Sequence, residues 1–418
     1  MNREKHGAKL SLEYSIKDKD FIFIVLVSMI WTHSILGDYF RAILLRFPII
    51  STMPDLIIVL FYCFMILLAI PYIWKRVRPS DVAMYVFVAL VCIFSLFFGN
   101  DKNIGTLQSI VPQFLLFCAP LLFIGICLDT DRVIPLLYIL STISIYALAF
   151  YILFIGGGSI EYRDSMNEDM YSAYKLLPHL LLVCFFVLHK PNVKNIITFI
   201  FGTILLFSFG TRGPILCLTL YVALYLLVFK TYKNNVRSKV IIVLVTTIFL
   251  IFFEQILGFI MLLSSSLGMS TRVFSRLLDG TFLTHLSGRD IFQQLLITAI
   301  KERPWLGYGV AGDRMILYGS YAHNIILELL VSYGVPIGVI LLLRCLFKIF
   351  KGLNSNITEY NTAFILILVC CSFIKLFFSG TYLNEPLLFL LLGICENSIR
   401  QKRAQKRMVN NNENTLVM

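Results

Sequence analysis

Two arginines and a histidine are the residues of this chain best placed to do chemistry. Arg212 lies in the run Gly-Thr-Arg-Gly-Pro between two apolar stretches, Arg289 follows a Ser-Gly pair, and His323 precedes Asn324 where apolar sequence resumes. A guanidinium binds phosphate oxygens in a bidentate manner. An imidazole can accept a proton from an attacking hydroxyl near neutral pH. We therefore expect Arg212 and Arg289 to hold a phosphate-bearing group and His323 to act as a base.

The stretch from Ser287 to Pro304 predicts an amphipathic helix. Ser287 and Asp290 form a start like a capping box, and Pro304 ends the pattern. Apolar residues recur between them at helical spacing, at Ile291, Phe292, Leu295, Leu296, Ala299 and Ile300. Arg289 then lies in the first turn, where the helix dipole also favours an anion. Tight backbone turns are predicted beyond the helix, at Gly307, Gly309 and Gly312.

Further polar residues of the same region are candidates for substrate binding. These are Arg303, Arg314 and Asn324. For the two arginines, as for Arg272 and Arg276, the alternative is a solvated surface position. The three principal residues have alternatives too. Arg212 could be an interfacial arginine whose head group reaches water, Arg289 a solvated residue of a surface helix, and His323 an interfacial histidine that only packs.

Carboxylates also occur within apolar stretches. Glu328 and Glu254 are costly in lipid and are expected to face a polar cavity. Glu254 is predicted to pair with Lys375. The charged loop from Gly156 to Lys175 is expected to be solvated.

The composition indicates an integral membrane protein. Hydrophobic residues make up 58% of the 418 residues, and the mean hydropathy is +0.82. Long apolar runs in lipid favour helices, because open strands would leave backbone groups unpaired. We predict an all-α, polytopic domain over residues 1–418 with about twelve spans, near 21–37, 55–74, 82–98, 110–128, 134–155, 173–188, 194–209, 214–229, 240–263, 323–343, 361–379 and 383–397.

The basic residues predict the orientation of the chain. Most of the 36 Lys and Arg fall in alternate connecting segments, starting with the segment before the first span. The positive-inside rule then places both termini in the cytoplasm and the large loop 264–322 outside. The tail 398–418 is expected to be cytoplasmic, with a disordered Asn-rich end. The net charge of +12 is a topology signal rather than a nucleic-acid-binding face.

The positions of the acidic pairs bear on metal chemistry. Asp18 and Asp20, like Asp129 and Asp131, fall on the predicted cytoplasmic side, away from the candidate site. A phosphate-bearing group held through a divalent metal would need carboxylates at the active face. We therefore expect chemistry that needs neither a metal nor a cofactor. The ten cysteines lie in or beside predicted spans, so no disulfide is expected.

Three short motifs resemble those of the O-antigen polymerase and O-antigen ligase superfamily of bacterial envelope glycosyltransferases. They are Gly210-Thr211-Arg212-Gly213, Gly288-Arg289 before Pro304-x-x-Gly307-x-Gly309, and His323-Asn324 separated by nine residues from Gly334. The resemblance in layout extends over most of the chain. One departure occurs, since Gly334-Val-Pro-Ile-Gly338 is one residue longer than the usual Gly-x-x-Gly.

The resemblance implies a GT-C-like membrane glycosyltransferase of the bacterial inner membrane. Its expected partners are donor and acceptor glycans linked to undecaprenyl diphosphate, the lipid bilayer and a chain-length regulator protein, with no nucleic acid. We favour a polysaccharide polymerase, because the Gly334 to Gly338 spacing departs from the ligase-type pattern. The alternatives are an O-antigen ligase, which transfers to lipid A core, and a flippase for lipid-linked oligosaccharides.

Overall fold

A computed structural model describes residues 21–44, 54–98, 101–151, 166–209, 211–229, 258, 261–262 and 289–416. Within these residues the chain forms helices and connecting turns, and no strand occurs. The prediction of an all-α chain is therefore confirmed for the described part.

The helices follow the predicted spans closely. The first nine are α1 (Phe21–Leu44), α2 (Pro54–Arg76), α3 (Pro79–Phe98), α4 (Asp101–Gln113), α5 (Leu121–Cys127), α6 (Thr130–Phe150), α7 (Met166–His189), α8 (Val193–Ser208) and α9 (Arg212–Val228). The later ones are α10 (Arg289–Glu302), α11 (Gly312–Ile316), α12 (Ile325–Leu353), α13 (Glu359–Leu368) and α14 (Pro386–Leu416). Short π-helical segments occur at Phe114–Cys118 and Val369–Ile374, and 3-10 turns at Lys375–Phe377 and Tyr382–Asn384.

Six helical stretches of the described part are long and apolar enough to cross a membrane. They are Pro79–Phe97, Ile104–Cys127, Thr130–Phe150, Met170–His189, Ile325–Leu353 and Glu359–Phe377. Shorter apolar helices occupy Phe21–His33, Val193–Ser208 and Arg212–Val228. These helices support a multi-pass membrane protein. Most of the predicted span 240–263 lies outside the described residues, and the number of twelve spans stays a prediction.

The outer surface of α2 and α3 is apolar, and the core of the bundle contains fully buried aromatic side chains. Leu67 on α2 and Phe97 on α3 are 62% and 78% exposed. Large apolar side chains exposed in this way suit contact with lipid rather than water. Trp31, Tyr221 and Phe364 are by contrast fully buried among the other helices.

The contact between α5 and α14 depends on two small residues. A Cβ on Gly125 would lie 2.5 Å from the Leu390 carbonyl oxygen, and a Cβ on Gly393 would collide with the Leu122 carbonyl oxygen. The two backbones approach this closely because both positions are glycine, a common basis of helix packing in membranes.

The C-terminal tail differs from its prediction. Its Asn-rich end was predicted to be disordered, but α14 continues to Leu416. This expectation was wrong because a helix that is already nucleated in an apolar segment extends at little cost. The Lys, Arg and Gln residues of the tail are also good helix formers.

Candidate functional site

The polar segment after α10 docks on a kink in α12. Gly334 has φ 76° and ψ 168°, which interrupts the helix. The carbonyl oxygen of Val331 accepts a hydrogen bond from Tyr308 N–H (2.8 Å), and that of Ser332 accepts one from Gly309 N–H (2.9 Å). Because the kink removes the usual helical partners of these carbonyls, the incoming loop takes their place.

Glycine is required on both sides of this contact. Gly307 has φ 65°, and a Cβ there would lie 2.5 Å from the Val331 carbonyl oxygen. A Cβ on Gly334 would collide with the Trp305 carbonyl group. The second and third sequence motifs thus meet in space, and their glycines allow two backbones to touch.

One predicted turn position was wrong. Gly309 has a left-handed backbone as expected (φ 87°). The next left-handed residue is Ala311 (φ 56°) rather than Gly312. Gly312 instead begins α11. A Cβ on Gly312 would lie 2.6 Å from the Tyr308 Cβ, so this glycine provides room for a side chain rather than a turn.

The amphipathic helix predicted from Ser287 onward is present as α10. Leu296 and Ala299 are buried, and Leu296 belongs to a small core with Leu317 and Val331. Of the six apolar positions, Ile291 and Leu295 face outward, because a narrow stripe is sufficient to dock the helix on α12.

Part of the predicted site lies outside the described residues. Arg289 is the first residue of α10, but the structure does not describe its side chain. The same holds for Gly210, for Glu254, and for the range 263–288 with Arg272, Arg276, Ser287 and Gly288.

A buried ion-pair network connects α11 to the residues before His323. Asp313 and Arg314 are 0% and 4% exposed. The Arg314 Nη1 donates to Asp313 Oδ1 (2.8 Å), and Asp313 Oδ2 accepts from Ala322 N–H (2.9 Å). Burial raises the pKa of the Asp313 carboxyl, while the Arg314 guanidinium and the Ala322 N–H oppose that rise.

The network extends to the turn before α14. Arg314 Nη1 lies 3.5 Å from Glu328 Oε1, and its Nη2 donates to Thr381 Oγ1 (2.9 Å). The Thr381 hydroxyl in turn donates to Glu328, which also accepts from Tyr382 N–H (3.3 Å). Glu328, predicted to face a polar cavity, is thus buried with polar partners. Arg314, predicted to contact substrate, has its guanidinium in this network.

His323 and Asn324 form the entrance to α12. His323 has φ 53°, an uncommon backbone conformation for a residue with a side chain. Its ring lies 4.1 Å from that of Tyr321. The Asn324 side-chain oxygen accepts from the N–H groups of Ile326 (3.0 Å) and Leu327 (3.3 Å), so Asn324 is the N-cap of the helix. A backbone held away from its preferred region is typical of functional sites.

Arg212 begins α9 at the same end of the bundle, and we call the start of this helix, Thr211 to Gly213, the arginine turn. A Cβ on the next residue, Gly213, would collide with the Tyr174 hydroxyl and lie 3.7 Å from the Phe378 Cβ. Because Phe378 lies three residues before Thr381, the arginine turn and the Arg314 network border the same short segment. Arg212 is the first residue of α9 and follows an extended Thr211, while Gly210 before it lies outside the described residues.

The segment from Lys375 to Glu385 was missed by sequence reasoning. Lys375 forms an ion pair with Glu385, whereas the partner predicted for it, Glu254, lies outside the described residues. Thr381 joins the Arg314 network. The signal available in the sequence was the run of polar residues between two apolar stretches, Ser379 to Glu385.

Arg303 is peripheral to these contacts. Its side chain is exposed, and the guanidinium carbon lies 4.8 Å from the ring centre of Tyr308. Substrate contact by Arg303, as by Asn324 and Arg314, stays a prediction.

Residues 197–343 match the family model described as O-Antigen ligase. This match confirms the resemblance to the O-antigen polymerase and ligase superfamily. The matched region contains Arg212, Arg289 and His323, the three principal candidates. It points to a membrane glycosyltransferase-like enzyme and does not separate polymerase from ligase. No curated protein and no solved structure matches the chain.

Proposed function

We propose that the protein is a polymerase of O-antigen or a related surface polysaccharide, in lipopolysaccharide biosynthesis. It transfers a growing glycan from undecaprenyl diphosphate to the non-reducing end of a new lipid-linked repeat unit. The observation that supports this most is the convergence of the arginine turn, the His323 entrance and the loop after α10 at one end of the bundle, within the family match.

In the proposed reaction, the bond between the anomeric carbon and the diphosphate oxygen breaks. The acceptor hydroxyl oxygen forms the new glycosidic bond and gives its proton to the His323 imidazole. The diphosphate leaves with the electron pair, and Arg212 and Arg289 stabilise the negative charge on it. The proposed reaction uses neither a metal ion nor a cofactor.

Asp313 and Arg314 support this reaction as positioning residues. Asp313 holds the Ala322 N–H, one residue before His323. Arg314 holds Asp313 and Thr381 together. Moving Ala322 away from Asp313, or Asp313 away from Arg314, would leave a buried charge without its partner. We infer that these contacts keep the backbone at His323 in its unusual conformation.

The finer topology belongs to the same proposal. We infer about twelve spans in a GT-C-like arrangement within the bacterial inner membrane, with both termini in the cytoplasm. The loop 264–322 and the candidate site then face the periplasm. Reporter fusions at Gln401 should indicate the cytoplasm, and fusions at Gly319 the periplasm. A cytoplasmic signal from Gly319 would put the site on the wrong side for a donor exposed to the periplasm.

The experiment that tests the activity is a deletion strain whose lipopolysaccharide is separated by size. Loss of a polymerase leaves core carrying one unpolymerised repeat unit and no ladder. Loss of a ligase leaves bare core while polymer accumulates on undecaprenyl diphosphate, and that outcome would replace the polymerase with the ligase alternative. An unchanged ladder would reject both enzymes and favour a transporter whose cargo the ladder does not require.

A further inference from the structure

A half-open cavity of about 530 Å³ lies between α1, α7 and the turn that leads into α14. The reaction proposed above does not use it. Its wall is mostly apolar and includes Ile30, Trp31, Phe117 and Leu121. The volume falls in the range of about 300–1,000 Å³ that is usual for ligand sites. The lining predicts a ligand with a long apolar part.

Positive charge exceeds negative charge on this wall. Lys175 and Lys375 line the cavity together with one carboxylate, Glu385, among the described residues. Lys375 and Glu385 form an ion pair. Lys175 was predicted to end a solvated loop, but it lies within α7 and is only 8% exposed. Its ammonium lies 4.1 Å from the Tyr171 ring centre. Two lysines against one carboxylate on an otherwise mostly apolar wall favour a ligand with an anionic head group.

Two π-helical segments contribute to the cavity. Phe117 and Cys118 come from the segment Phe114–Cys118, and Cys371 comes from the segment Val369–Ile374. Such segments are rare and are frequently found at functional sites, because they change the direction of side chains within a helix. The π-helical segments thus indicate a functional cavity independently of the charges on its wall.

One wall of the cavity is shared with the surface that suits lipid contact. Ile66 of α2 lines the cavity, whereas its helix neighbours Phe64 and Leu67 are 55% and 62% exposed. An apolar chain can therefore extend from the bilayer past α2 into the cavity without leaving an apolar environment.

The opposite wall adjoins the arginine turn. Tyr174 lines the cavity and also limits the space beside Gly213. The Lys375 ammonium lies 5.3 Å from the centre of the Tyr174 ring. A head group at Lys175 would thus be next to the diphosphate site assigned to Arg212, with Tyr174 between them.

We propose that this cavity binds the isoprenyl chain and diphosphate of the acceptor substrate, with Lys175 on the diphosphate. The inference rests on the proposed function, because a polymerase must hold two lipid-linked substrates at once. The donor occupies the Arg212 site, and the acceptor enters along α2. The acceptor sugar then extends from the cavity towards His323.

The site can be tested by photocrosslinking on the full chain in lipid nanodiscs. The probe is an isoprenyl diphosphate that bears a benzophenone group near the diphosphate end of its chain. We expect crosslinks within residues 113–121 or 171–178, lowered about tenfold by Lys175→Met because a charge-assisted hydrogen bond is lost. Lys190→Met, which changes an exposed lysine just after the other end of the same helix, is the matched control and should leave labelling unchanged. Lys175→Arg should retain most of it, which separates charge from folding.

Competition and kinetics distinguish the sources of the lipid. Farnesyl diphosphate should displace the probe and phosphatidylglycerol should not; equal displacement by phosphatidylglycerol would overturn the proposal in favour of a bilayer-lipid site. Lys175→Met should raise the KM of the lipid-linked acceptor about tenfold and leave that of the donor unchanged. Labelling lost in Arg212→Ala but kept in Lys175→Met would also overturn it, since a single site would then hold both lipids.

The two proposals can fail separately. A chain that crosslinks the probe through Lys175 but forms no polymer from lipid-linked repeat units would overturn the proposed function and support the cavity as an isoprenyl diphosphate site. A chain that forms polymer with unchanged acceptor KM after Lys175→Met would overturn the cavity assignment alone.

Discussion

The two ends of the bundle hold cavities of similar volume, about 530 Å³ beside the candidate site and about 540 Å³ at the opposite end. Both are lined by α5 and α14, at Leu121 and Leu387 in the first and at Ile126 and Asn397 in the second. The first is lined mainly by apolar side chains, with one buried and one half-buried lysine. The second is lined mainly by polar groups from the turn before α6, the turn before α13 and the middle of α14.

The polar groups at the opposite end join helix ends to one another. Arg400 donates to Asp81 (2.6 Å) and Glu396 (2.9 Å), and the Asn397 amide donates to the Leu128 carbonyl oxygen (3.0 Å). The hydroxyl of Thr358 donates to Asp131 (2.6 Å). Each of these donors has a partner at a neighbouring helix end. The cavity is therefore the space between helix ends that hydrogen bonds hold together.

At the site end the polar groups hold a loop in an unusual conformation instead. The Asp313 and Arg314 network fixes the residues before His323, and the Gly334 kink accepts the loop backbone. Equal cavity volume therefore says little about function. What distinguishes the site is backbone strain, buried charge and glycine contacts at one place.

The largest effect is expected for His323→Asn. Asparagine tolerates the left-handed backbone of this position but cannot act as a base, so folding should be retained. We expect polymer formation by the purified chain from lipid-linked repeat units to fall by about 10²–10⁴-fold. Arg132→Ala at the opposite end, where the side chain is 48% exposed, is the control. Activity above a tenth of the wild-type rate would exclude His323 as the base.

Much of the fold could be predicted from the sequence because membrane helices have a strong compositional signal. Predicted spans such as 134–155 and 361–379 lie close to the helices Thr130–Phe150 and Glu359–Phe377. The helix α10 was also predictable, since Pro304 and the apolar spacing define it. These features depend on local sequence, which a single chain contains in full.

The buried network was not predictable in the same way. Asp313, Glu328 and Thr381 are separated along the chain and meet only because the loop docks on α12. Arg314 looked like the other loop arginines, and only its burial distinguishes it. Long-range contacts of this kind have no local pattern, so the sequence could indicate the site end but not how its residues pair.

The second largest effect is expected for Arg212→Lys. Lysine keeps the positive charge at the start of α9 but not the planar fork that binds two phosphate oxygens. We expect the polymerisation rate to fall by about 10²-fold with unchanged melting temperature. An Arg76→Lys change at the opposite end, where the guanidinium donates to the Cys127 carbonyl oxygen, should leave the rate unchanged. If both variants keep full activity, the diphosphate role of Arg212 is wrong and the contrast between the two ends weakens.

A change of intermediate size is expected for Gly334→Ala. The added Cβ meets the Trp305 carbonyl group, and the backbone has φ 76°, so we expect a loss of about 2 kcal/mol in stability. Melting of the detergent-purified chain measures it. Gly105→Ala is the matched control, because a Cβ there meets nothing within 4 Å and alanine favours the helix by up to about 1 kcal/mol. Equal melting of the two variants would contradict the proposed docking of the loop on the kink.

The smallest effect is expected at the opposite end, for Asp129→Ala. Asp129 is the N-cap of α6, and its side chain accepts from Asp131 N–H (3.0 Å). Loss of this cap should cost about 1 kcal/mol of stability, while Asp129→Asn, which can still accept that hydrogen bond, should melt like the wild type. Neither variant should change the polymerisation rate at a temperature below melting, because no contact of Asp129 reaches the site end. A rate that falls in Asp129→Ala at unchanged stability would give the polar cavity a part in function, and the distinction between a structural end and a reactive end would then be lost.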